Sequence, residues 1–185
     1  MIKTLIGLAL ILLELSITND TFIPGQTLII GLLPDFLGYT FLLLGQRELA
    51  YENDHFYKNI RSSLWAGVVA LMVYIMDLLG VTANGDFQSL LLQIFLLVME
   101  ALCLLRIVRG VRKVGADYDL DVKGKLYFGI WLAYVIVSVL SLVTSWMPGV
   151  RDFVAMVQIP LCFAFIALFF NFKTVYETIQ PTNNS

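Results

Sequence analysis

Four acidic residues stand inside long apolar runs of this chain: Glu14, Asp35, Asp77 and Glu100. An acid at the centre of a membrane helix costs roughly 2.5–3.5 kcal/mol on insertion. Such a residue therefore faces the interior of a bundle, where it is a candidate for holding a proton, a cation or a polar solute. Ser89, Gln93 and Glu100 follow one another at i, i+4 and i+11, one face of a helix. Asp35, Asp77, Glu100 and Gln93 are the candidate ligand- or proton-binding residues. Counted at 1.5 Å per residue, Asp35 lies about 12 Å from the outer end of its helix, Asp77 about 7 Å and Glu100 about 20 Å. The acids are thus expected at several depths. A route for a proton or cation and a set of separately bonded polar groups that serve helix packing both fit that spread.

Other chemistries fail on residue type. Glu52 and His55 have the Glu-x-x-His spacing of a di-iron bundle, but the site needs a second copy and the chain has one His. Asp117, Asp119 and Asp121 begin like a calcium loop, yet Val122 stands where Gly is required and Phe128 where Glu is required. Cys103 and Cys162 lack CxxC spacing and lie in apolar runs, as small buried apolar residues do. No Ser–His–Asp or Cys–His set and no Gly-rich phosphate loop is present. The expectation is a protein without catalytic residues, metal or cofactor, and without a nucleic-acid partner.

The elements that must position these residues are set by composition. The 185-residue chain is 59% hydrophobic and 14% charged, against about 45–50% and about 25% in soluble domains. The excess falls in repeated uninterrupted apolar runs, which predict an all-α integral membrane bundle in one domain, 1–185. Six spans are expected, about Ile2–Thr18, Thr27–Gly45, Leu64–Thr82, Phe87–Ile107, Leu126–Trp146 and Phe153–Phe172. With the N-terminus inside, eleven of the twelve Lys and Arg fall on the cytoplasmic side, leaving Arg151 outside. That bias predicts both termini in the cytoplasm. Pro24-Gly25, Asn84-Gly85 and Pro148-Gly149 mark tight outer turns. Leu49, Phe56 and Ile60 predict an interfacial helix in the first inner loop. The second inner loop starts with Arg106, Arg109, Arg112 and Lys113, a basic stretch that anionic lipid could use.

The second span carries the most organisation. Gly31, Gly38 and Gly45 recur every seven residues, and Asp35 follows Gly31 by four. On a helix this makes a bare, close-packing stripe with one carboxylate set into it. A neighbouring helix is expected against it, from this chain or from another membrane subunit.

The run Leu33-Pro34-Asp35-Phe36-Leu37-Gly38-Tyr39, continuing to Leu44-Gly45 and Arg47-Glu48-Leu49, resembles a group of small multi-span membrane proteins of Firmicutes. Their second helix has this LPDFLGY-type pattern. The resemblance implies a bacterial plasma membrane and brings no known activity. In size and span number the chain is also similar to the substrate-binding component of energy-coupling-factor vitamin transporters, a likeness of fold alone. Two functions follow as expectations. One is a transport-related protein that binds a small solute or cation at an intramembrane acidic or polar site. The other is a non-catalytic subunit or scaffold that docks a partner helix on the glycine stripe.

Overall fold

The computed structural model describes residues 1–13, 16–19, 28–31, 34–51, 53–78, 87–120, 122–144 and 147–179. Six helices and one short hairpin are described: α1 Ile2–Leu12, β1 Ser16–Asn19, β2 Leu28–Gly31, α2 Asp35–Leu49, α3 Asp54–Leu78, α4 Phe87–Asp117, α5 Gly124–Val143 and α6 Pro148–Ile179. Each helix packs on the next, and α6 returns to touch α1, so the helices form a ring in chain order. Its centre is filled by Leu8, Leu42, Phe56, Ile107, Val108, Val111, Phe169 and Phe172.

Four helices are long and apolar enough to cross a membrane: Asp54–Met76, Leu90–Asp117, Gly124–Val143 and Met156–Thr178. Their outward faces are apolar too. Met72 is 57% exposed and Phe163 55%, a helix surface suited to lipid and unsuited to water. Multi-pass membrane character follows. α6 runs unbroken through Pro160.

The helices of the first two expected spans are shorter than Ile2–Thr18 and Thr27–Gly45 imply. α1 has 11 residues and α2 has 15, about 16 and 22 Å at 1.5 Å per residue, short of a hydrocarbon core of about 30 Å. Ser16 to Asn19 pairs antiparallel with Leu28 to Gly31, with Ile17 opposite Ile30. β-Branched Ile17, Thr18, Ile29 and Ile30 favour strand over helix. Pro34 then sits extended at φ −63°, ψ 128° as the N-cap of α2, and proline pushes the residue before it away from helical geometry. Gly31 is therefore a strand residue, not the first member of a helical stripe. Asp35 opens α2 instead of lying at its middle.

The interfacial helix expected around Leu49, Phe56 and Ile60 is also corrected. Leu49 closes α2, and α3 runs continuously from Asp54 into the apolar region. The junction is made by Asn53. Its Oδ1 accepts from the amides of His55 (3.0 Å) and Phe56 (3.3 Å), while its Nδ2 donates to the Gly110 carbonyl on α4 at 3.1 Å. A side-chain cap this close to the chain reversal starts the helix before an interfacial segment can form.

Candidate functional site

Asp35 and Glu100 are the two candidate acids whose side chains are described. Asp35 is half-buried in the first turn of α2, where a carboxylate is favoured by the positive end of the helix dipole. Asp77 lies in the last turn of α3, its side chain outside the described residues, as is Glu14. Gln93 is exposed on α4. Glu100 is built into an interhelical polar contact.

Glu100 sits midway along α4. The hydroxyl of Tyr134 on α5, itself buried, donates to Glu100 Oε1 at 2.6 Å. One turn further along α5, Ser138 accepts from Gln158 Nε2 of α6 at 3.4 Å. On the near side, Trp131 Nε1 donates to the Ala101 carbonyl at 3.0 Å. Helical spacing explains the line: Trp131, Tyr134 and Ser138 follow at i, i+3 and i+7, so one face of α5 presents all three to its neighbours. A carboxylate, two hydroxyls and an amide thus span three helices. Such a line can hold a proton or a small polar ligand, since each hydroxyl both donates and accepts.

A second polar group lies between α3 and α4, nearer the basic pole. Asn59 is fully buried on α3, and its Nδ2 donates to the Cys103 carbonyl at 3.1 Å. Ser63, one turn on, meets Cys103 Sγ at 3.9 Å. Gln46 on α2 and Thr4 on α1 are also fully buried. Among the described residues neither amide atom of Gln46 has a hydrogen-bond partner, nor does Asn59 Oδ1 or Thr4 Oγ1. Tyr39 packs on Gly67, its Cβ 3.2 Å from where a Gly67 Cβ would stand. This register puts Gln46, two turns on, level with the Asn59–Ser63 turn of α3. Sequence reading missed Gln46 and Asn59 by assigning both to a cytoplasmic loop. The legible signal was Asn59, Ser62 and Ser63 at i, i+3 and i+4, a polar face inside a helix.

The glycines show where α1 lies. A Cβ on Gly38 would stand 2.7 Å from Ile11 Cγ1, and one on Gly7 would stand 2.5 Å from the Leu42 amide. Gly45 faces the backbone of Thr4. The face of α2 expected to receive a second subunit is covered by α1 of the same chain.

At the basic pole, the N-terminal amine and Lys3 both pair with Glu48, at 2.9 and 2.5 Å. Hydrogen bonding from Lys3, then from the N-terminus, holds the Glu48 carboxyl below its ordinary value, with partial burial opposing. The basic residues of α4 separate into different roles. Arg106 turns to α3, donating to the Lys58 carbonyl at 2.8 Å and to the Ser62 hydroxyl. Arg109 and Lys113 stand near His55. The stem of Arg112 leans over Gly124 at the start of α5, with its Cγ 2.8 Å from where a Cβ would be. Among the described residues no three His, Cys, Asp or Glu side chains come together as metal ligands, and both cysteines are buried free thiols. No family model matches the chain, and neither a curated protein nor a solved structure matches it.

Proposed function

We propose that this is a transport-related protein of the bacterial plasma membrane that binds a small solute or cation, the proton included, at the polar line centred on Glu100. The observation that carries this reading is the Tyr134–Glu100 hydrogen bond inside a helix long and apolar enough to cross the membrane. A carboxylate there is costly to insert, and the line continues through Ser138 to Gln158 on a third helix. Packing alone needs only one hydroxyl.

The topology that accompanies this reading has six passes, with both termini cytoplasmic. The antiparallel ring supports it, because Met1, Lys3, Lys58, Arg109, Arg112 and Lys123 all gather at one pole, as the positive-inside rule requires. In this arrangement α1 and α2 enter from the cytoplasmic face. Their hairpin lies at the outer interface, where water pairs the strand edges. Local thinning of the bilayer makes up the shortfall in helix length.

The test uses Trp131, whose indole is bonded next to Glu100. In a Trp65→Phe/Trp146→Phe background, its fluorescence is followed while pH, sodium and potassium are varied in proteoliposomes. A saturable change that disappears in Glu100→Gln is expected. A flat response to all three, or one that Glu100→Gln leaves unchanged, overturns the reading.

A further inference from the structure

The turn from α4 to α5 encloses an open groove of about 570 Å³. Its wall carries three cations, Arg112, Lys123 and Lys125, against one carboxylate, Asp119. Among the described residues no carboxylate pairs with any of the three cations, and the first turn of α5 contains no acid. Three cations against one carboxylate leave the described wall with an excess of positive charge, and an anion between them relieves their mutual repulsion.

We propose that this groove binds the phosphate of an anionic phospholipid in the leaflet at the basic pole. Depth favours a lipid over a soluble phosphate. The candidate span of α4, Leu90–Asp117, has 28 residues, about 42 Å at 1.5 Å per residue, so its last, basic turns rise into the headgroup region beyond a core of about 30 Å. The same groove includes Leu126, which is 47% exposed and opens α5 toward the acyl chains. Cationic and apolar surfaces therefore meet along one wall, as a phospholipid's head and tail require. Gly124 is what admits the arginine: a side chain there would collide with the Arg112 stem. The site differs from the linear basic stretch read from the sequence. Arg106 is committed to α3, Arg109 and Lys113 lie toward His55, and the two lysines come from the far side of the turn.

The experiment is native mass spectrometry of the full chain in neutral detergent with equimolar phosphatidylglycerol and phosphatidylcholine. Wild-type protein should retain phosphatidylglycerol preferentially. Each neutralisation among Arg112→Gln, Lys123→Gln and Lys125→Gln should lower that preference about fivefold, the effect of one basic residue near an anionic surface. The pair Arg109→Gln/Lys113→Gln should leave it unchanged. Asp119→Asn should raise it, and asparagine tolerates the positive φ of 51° at that position, so this variant tests the site even where a neutralised variant fails to fold. Equal losses from the two groups of substitutions would overturn the proposal in favour of general surface charge. Displacement of the lipid by inorganic phosphate at equal concentration would overturn it in favour of a soluble anion.

Discussion

Gly45 of α2 lies against the backbone of Thr4 in α1, so closely that a methyl group at position 45 would stand 2.8 Å from Thr4 Cα. With Gly7 and Gly38 it forms a seam along which two short helices touch backbone to backbone. Close approach compensates for their length: 11 and 15 residues present few side chains, and dispersion contacts between backbones replace them.

Substitution within that seam should therefore be costly. Gly45→Ala forces backbone apart and should destabilise by about 1–3 kcal/mol, the range for overpacking. Gly129, in the middle of α5, has nothing within 4 Å of its Cβ position. There Gly129→Ala should be neutral or stabilising by up to about 1 kcal/mol through helix propensity. Unfolding in mixed micelles measures both, and equal effects at the two positions would contradict the seam.

Asn53 makes a different prediction, because one side chain caps α3 and clips it to α4. Asn53→Ala removes both functions and should cost about 0.5–2 kcal/mol for the cap alone. Asn53→Asp keeps the capping oxygen but loses the donor to Gly110, so it should cost less. Hydrogen exchange at His55 and Phe56 separates the cases, with protection kept in the aspartate variant.

Glu48 sets an acid dependence. Its folded pKa is held below the ordinary value near 4.5, so the unfolded chain takes up the proton first as pH falls. Its contribution is present above about pH 4.5 and is lost as pH falls through the folded value. The side chain is 42% exposed, and solvent screening keeps the contribution below about 1 kcal/mol. Stability measured from pH 7 down to pH 3 should show a smaller acid loss in Glu48→Gln than in wild type.

For the polar line, a double-mutant cycle on Tyr134→Phe and Glu100→Gln should give a coupling of about 0.6–1.7 kcal/mol, the span seen for hydrogen bonds between membrane helices. Gln93→Leu should show no coupling to Tyr134, since Gln93 is exposed on α4. The cycle is read from unfolding in detergent.

How much of this was legible beforehand differs from residue to residue. The long apolar runs of α3 to α6 announced themselves, since their outward faces must be apolar along their whole length. Glu100 was legible as part of one face of its helix, with Ser89 and Gln93. The pairing of Glu100 with Tyr134 was not, because a helical face does not say which neighbour it meets or at what height. The α2 stripe was read with the right neighbour type but the wrong start. Its period of seven includes Gly31, while the β-branched residues before Pro34 form a strand and the helix starts four residues later, at Asp35.

The sequence by itself determined that this is a multi-pass membrane protein and which residues carry its charge, because insertion energy depends on composition along one dimension. Tertiary structure alone decided that Gly38 and Gly45 receive α1, that Asp35 opens a helix, and that Arg112 joins Lys123 and Lys125 across a turn. Those are relations between segments. They depend on register and packing, which periodicity constrains to a face and leaves open along the helix axis.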